Sequence, residues 1–140
     1  MEKNKELMRR FYEEVFNKGN LSVIDELFDK HFVDRSFYGK EAKIDEIKRS
    51  FSDFRKSFPD MHIKIEDMVA EGDKVVTRFT LNGTHKGDFA GIAPTGKRIS
   101  IGVIDIIRIA DGKAVERWGI EDNLSMWQQL GVEPPKTGEN

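Results

Sequence analysis

Apolar positions in the first third of the chain recur every three or four residues. Leu7, Met8, Phe11, Tyr12, Val15 and Phe16 fall on one side of a helix, with Glu, Lys and Arg between them. This predicts an amphipathic helix of about four turns, stopped by Gly19. Asn20 or Ser22 is placed to cap a shorter second helix carrying Val23, Ile24, Leu27 and Phe28. His31 to Tyr38 reads as a short strand or extended segment. A third helix from about Lys40 puts Ile44, Ile47, Phe51, Phe54 and Phe58 on one face, a spacing that means core packing. Pro59 ends it, because the residue before a proline is pushed out of helical geometry.

Beyond Pro59 the period changes to two. Met61 to Ala70, Lys74 to His85, Arg98 to Ala110 and Ala114 to about Ile120 alternate between apolar and polar, which predicts four strands. Glu71-Gly72-Asp73 and Asp111-Gly112 are tight-turn signals, and Lys86 to Gly96, rich in glycine, is a longer connection. Asn123 to Leu130 closes the chain as a short helix stopped by Gly131. Helices first, then strands with short connections, define an α+β fold with the helices on one face of an antiparallel sheet. We read residues 1–131 as a single domain and 132–140 as a polar, proline-broken C-terminal tail.

Composition narrows the function classes. In 140 residues, 38% are hydrophobic and 34% charged, a globular balance with room for a core. The formal net charge is −2 and no basic stripe is present, which argues against a nucleic-acid partner. There is no cysteine, hence no disulfide, thiol nucleophile or thiolate metal site. The charged N-terminus is unlike a signal region and no apolar run reaches the ~20 residues of a membrane helix. The expectation is a cytoplasmic protein with no membrane partner.

Few residues stand out as chemistry. Along the fourth strand Ala114, Glu116, Trp118, Ile120 and Asp122 alternate onto one face, so Asp122 is expected in apolar surroundings that raise its pKa and suit a general base. The competing reading is that Asp122 caps the last helix through backbone N–H groups. Asp105 is the odd member of a face made otherwise of Ile99, Ile101, Val103, Ile107 and Ile109. An ionised carboxylate there needs a partner, a ligand or a bulge, and the plainer reading is a structural ion pair or a solvated convex face. Arg108 is three residues away and so on the opposite face of a regular strand. His85 ends an apolar strand face and serves either as a hydrogen-bond donor to a carbonyl or enolate oxygen or as a polar strand terminus. Trp118, Phe79 and Phe89 are read as cavity lining or as plain core, and Tyr12 is grouped with them and Asp105 as substrate-binding. No His/carboxylate spacing points to a metal, and the glycines from Gly83 to Gly96 match no phosphate-binding loop.

Five segments in order carry a resemblance. They are Phe58-Pro59-Asp60, Ala70-Glu71-Gly72-Asp73-Lys74-Val75, the run Gly83-Thr84-His85 through Pro94-Thr95-Gly96-Lys97, Ile107-Arg108-Ile109 with Asp111-Gly112-Lys113, and Glu116-x-Trp118-x-x-x-Asp122. From about Lys5 to Gly131 the chain resembles the SnoaL-like polyketide cyclase family, also called predicted ester cyclases. The resemblance implies the nuclear transport factor 2-like (NTF2-like) fold, a cone of curved antiparallel sheet over N-terminal helices with a mostly apolar pocket. It also implies a homodimer formed through the sheet. The implied reaction is an intramolecular aldol condensation on a small apolar carbonyl compound, without cofactor or metal. The family's aspartate acid/base matches Asp122, and its GTH histidine matches His85. Two alternatives share the fold: a non-catalytic binder of small hydrophobic ligands, and an isomerase or epoxide-hydrolase-like enzyme. The hydrolase needs an Asp-Arg-Asp set, for which Asp105 and Arg108 are poorly spaced.

Overall fold

The structure is a computed structural model and describes residues 2–37 and 40–134. Helix α1 (Glu2–Phe11) passes directly into a π-helical turn, Tyr12–Asn17. Gly19, at φ +72°, ends it as its position predicts. The turn is tied on two sides. Arg55 Nη1 donates to the Phe16 carbonyl at 2.8 Å, and Asn17 Oδ1 accepts from the Ile63 amide at 2.7 Å. Helix α2 (Ser22–Leu27) follows, then strand β1 (Phe28–Phe37), the short β2 (Lys40–Ala42) and helix α3 (Ile44–Ser57). Strands β3 (His62–Glu71), β4 (Lys74–Thr84), β5 (Arg98–Ala110) and β6 (Lys113–Glu121) then lead into α4 (Asn123–Leu130).

The six strands form one sheet in the order β2-β1-β6-β5-β4-β3. All neighbours are antiparallel except β1 and β6, which run parallel. The helices cover one face. Met8, Phe11, Tyr12 and Val15 from the first helical segment, Ile24 and Leu27 from α2, and Phe58 just past α3 are buried in one core with the inner residues of β4 and β5. Tyr12 packs on Phe79 with ring centroids 5.0 Å apart, and Phe11 on Phe28 at 4.9 Å. This is the α+β layout expected, with helices against a curved open sheet.

Four local expectations are corrected. The segment expected over 31–38 starts at Phe28, and its last expected residue, Tyr38, lies outside the described residues. Lys40–Ala42 is a strand, so the third helix begins at Ile44, where the Glu46 side chain accepts from the Lys43 amide at 3.2 Å. The cap of α2 is Leu21 without a side-chain bond, because the Ser22 hydroxyl is spent on Asn20 Oδ1 at 2.6 Å. The parallel β1–β6 pairing was not anticipated: it needs contacts between residues some eighty positions apart. The expected tail lies outside the described residues from 135 onward.

Candidate functional site

Strand β5 alternates as its sequence predicts, with Ile99, Ile101, Val103, Asp105, Ile107 and Ile109 all buried on the inner face. Asp105 lies opposite Thr77 of β4 on one side and Gly119 of β6 on the other. Strand β6 does not alternate as expected. Arg108 pairs with Glu116 but Ile109 pairs with Ala114, so Val115 is an extra residue, a β-bulge. Because the side-chain period of a strand is two, one inserted residue exchanges the faces beyond it. Arg117, Gly119 and Glu121 therefore pair with the inner residues Ile107, Asp105 and Val103. Trp118 and Ile120 face outward opposite Ile106 and Ile104, and Ile120 is 79% exposed. Trp118 and Ile120 thus share the outer, exposed face, and the buried apolar surroundings expected for Asp122 are not formed.

The bulge assembles a polar cluster on the inner face. Tyr12, at the start of the π-helical turn, donates its hydroxyl to Asp105 Oδ2 at 2.9 Å. Arg117 Nε and Nη2 both donate to Asp105 Oδ1, at 2.9 and 2.6 Å. Arg117 Nη1 donates to Asp34 Oδ2 of β1 at 2.7 Å and to Ser36 Oγ at 3.0 Å. Its last contact is Nη2 to Glu121 Oε1, at 3.5 Å. All five guanidinium N–H groups thus have acceptors, and Glu121 holds the longest bond. Gly119 permits the packing, since a Cβ there would collide with the Arg117 guanidinium and come 2.7 Å from Asp105 Oδ1.

Three carboxyls surround one guanidinium, and burial acts on the pKa of two of them, Asp105 and Glu121. Desolvation raises the Asp105 pKa against the opposing pull of Arg117 and the Tyr12 hydrogen bond. Glu121 is also raised, again chiefly by desolvation, with Arg117 opposing and Asp105 reinforcing. Burial works against the charge of Arg117, but Asp105 and Asp34 outweigh it and push its pKa above the ordinary value. The Tyr12 hydroxyl is held protonated by burial and by the neighbouring Asp105 charge. A buried acid poised upward beside fixed donors is the arrangement that general acid–base chemistry uses.

The other expected site residues lie elsewhere. Asp122 is exposed and caps α4, its Oδ1 accepting from the Ser125 amide at 3.1 Å. His85 is fully buried beyond the end of β4. Its Nδ1 accepts from the Thr95 amide at 3.2 Å, which leaves Nε2 to carry the ring proton, buried and without a partner among the described residues. Its ring stacks on Phe58 at 5.5 Å. From Thr77, the register partner of Asp105, eight residues of β4 lead to His85, roughly 26 Å of strand. His85 and Asp105 therefore belong to separate places. Phe79 packs against Tyr12 beside the cluster, whereas Phe89 stacks on Trp127 at 5.5 Å near His85. Trp118 is half-buried on the outer face.

The described residues form a hollow of ≈ 370 Å³ beside Val15, Phe51 and Arg55 and another of ≈ 610 Å³ beside Asp25, Lys43 and Lys113. Neither is lined by Asp122, His85 or Trp118, so these three do not converge on either cavity. No described helix is long and apolar enough to cross a membrane.

The model of the SnoaL-like polyketide cyclase family matches residues 6–130. The chain belongs to that family. Among curated relatives, aklanonic acid methyl ester cyclase DnrD of Streptomyces peucetius is 33% identical over 98 residues, 70% of this chain and 63% of that protein. The match to DauD of Streptomyces sp. strain C5 is again 33% and 70%, and 56% of the relative. This chain thus spans less than two thirds of the length of the curated relatives it matches. Among solved structures, AclR of Streptomyces galilaeus, a proposed hydroxylase, superposes with a TM-score of 0.88 at 30% identity, covering 96% of this chain and 99% of AclR. IdmH of Streptomyces antibioticus, a proposed polyketide cyclase, gives 0.82 at 31% identity over 92% and 99%. The fold of this SnoaL-like chain is accordingly the NTF2-like cone.

Sequence reasoning missed Asp34, Arg117 and Glu121 in this SnoaL-like chain. The one signal was the isolated Asp105, whose burial demanded a cation. That cation is Arg117, while Arg108 turns outward to Glu116 at 2.9 Å. For Asp122 the cap gives a simple expectation: Asp122→Ala lowers stability by about 1 kcal/mol in urea unfolding. A loss below about 0.3 kcal/mol would show that the cap bond is idle.

Proposed function

We propose that this chain is a cofactor-independent cyclase that closes a ring in a small apolar, polyketide-like carbonyl compound by intramolecular aldol condensation. The acid–base work falls to the inner-face carboxyl cluster around Arg117, with Asp105 as its buried anchor, rather than to the exposed helix cap Asp122. The single observation that supports this is the Tyr12–Asp105–Arg117–Asp34 network, in which burial raises the Asp105 carboxyl. An activated carbonyl substrate asks for orientation, one tuned proton acceptor and donors toward the developing oxyanion. The names of the curated relatives supply the first substrate to try. The purified protein, incubated with aklanonic acid methyl ester and no added metal or cofactor, is expected to yield a ring-closed isomer of unchanged mass. Ester left open at the buffer rate refutes the reading.

One observation favours a second reading. Asp34, Arg117 and Asp105 form the carboxylate–guanidinium–carboxylate set that water activation for epoxide opening requires, on an arginine other than Arg108. Diol formation from an epoxide probe, with the mass of one water gained, would select it.

We also propose a homodimer formed through the outer sheet face. Ile104 and Ile120 are register partners there, 48% and 79% exposed, beside the Ile106–Trp118 pair. Ile120→Lys is expected to shift the mass measured by light scattering from dimer to monomer. A wild type that is already monomeric excludes this interface.

A further inference from the structure

The cluster contains three carboxyls, and they are not equivalent. The side chains of Asp105 and Asp34 are 3% and 8% exposed, and each accepts a short bond from Arg117, at 2.6 and 2.7 Å. Glu121 is 43% exposed and meets Arg117 Nη2 only at 3.5 Å. The bulge at Val115 has placed it on the inner face, in register with Val103, at the end of β6 where the cluster reaches solvent. We propose that Glu121 takes the substrate proton and returns it, and that a substrate oxygen takes over the Arg117 Nη2–H that Glu121 holds in the resting protein. This rests on the cyclase reading.

The distances divide the labour. Nε and Nη1 of Arg117 are fixed by the two buried aspartates and Ser36, so neither is free for a ligand. The bond to Glu121 is the only weak one, and breaking it costs least. A carbonyl oxygen that displaces it gains a charged donor and frees a carboxylate at the same place. The Glu121 carboxylate then removes the proton from the carbon beside that carbonyl, and the C–H electron pair becomes the enolate, its oxygen on Nη2–H. The enolate carbon attacks the second carbonyl, a C–C bond forms, and the new alkoxide takes the proton back from Glu121. No atom is gained or lost. Tyr12 touches Asp105 and not Glu121, so it positions the anchor. Asp122, the next residue, has its carboxylate bound to the Ser125 amide.

The charged groups facing Glu121 are Arg117, Asp105 and Asp34. A base must be deprotonated, so turnover should rise with pH through the Glu121 pKa and level off above it. With the methyl ester as substrate, Glu121→Gln is expected to lose about 100-fold or more in kcat, with the acid limb of the pH profile gone. Glu121→Asp should restore part of the rate with a displaced limb, and Asp122→Asn should stay within about threefold of wild type. Thermal melts report folding of each variant; if Glu121→Gln melts early, the limb of Glu121→Asp decides, and an unmoved limb overturns the assignment. Turnover kept by Glu121→Gln, or lost instead by Asp122→Asn, overturns it; the ring closure itself then stands, with its acid–base group elsewhere. An inactive wild type removes both.

Discussion

Arg117→Met should unfold in urea with about 3–5 kcal/mol less stability than the wild type, because it strands two buried carboxylates. Asp105 and Asp34 are 2% and 6% exposed, and Arg117 donates three bonds to them and one to Ser36. Methionine fills much of the same space, so packing is preserved and charge is the variable. For a chain of this size the urea midpoint should fall by about 2 M. The pH dependence distinguishes charge loss from misfolding. Without the guanidinium both aspartates lose their cation, and the folded-state pKa of Asp105, already raised by burial, rises further. A group with a raised folded pKa stabilises fully below its unfolded value, about 4, and that contribution is lost as pH rises through the folded value. The deficit of Arg117→Met should therefore be largest at pH 8 and shrink steadily toward pH 5. A deficit independent of pH would show that the cluster is not electrostatically coupled.

Gly119→Ala should cost about 1–3 kcal/mol and most of the turnover, although it adds a single methyl group. The added Cβ would enter the space of the Arg117 guanidinium and lie 2.7 Å from Asp105 Oδ1. Neither group can retreat, since each is bound on its far side by Asp34 or Tyr12. Gly102 of β5 is the internal control. It faces the outer side with nothing within 4 Å of its Cβ position, so Gly102→Ala should be neutral or slightly stabilising. Equal melting of the two variants would show that the guanidinium has more freedom than its bonds suggest.

The contrast between strands β5 and β6 shows how far the sequence could be read. On β5 the alternation is unbroken, so the buried face and its lone Asp105 follow from spacing. The four C-terminal strands, the stop at Pro59, the Gly19 and Gly131 terminations and the closing helix follow in the same way, from periods of 3.6 and 2 and from backbone limits. On β6 the same counting fails at one residue. Val115 is apolar and compatible with either face, and a bulge there carries no local signal. It is specified by pairing with β5 on one side and, in parallel, with β1 on the other. One inserted residue exchanged Trp118, Ile120 and Asp122 for Arg117, Gly119 and Glu121 as the inward set.

His85 makes the complementary case. Its strand-end position was legible and its burial is complete, but its surroundings come from two other segments, Phe58 after α3 and Phe89 and Thr95 of the 86–96 connection. What the amino-acid sequence determined by itself is the four helical segments and the four C-terminal strands, the α+β class, the family, and the need of Asp105 for a partner. Each of these depends on interactions within a few residues or on motifs in order. Only the tertiary structure decided that the partner is Arg117, that Asp34 shares it, and that Glu121 rather than Asp122 faces the cluster. Those depend on strand register across a bulge, where contacts twelve to ninety-three residues apart outweigh any local preference.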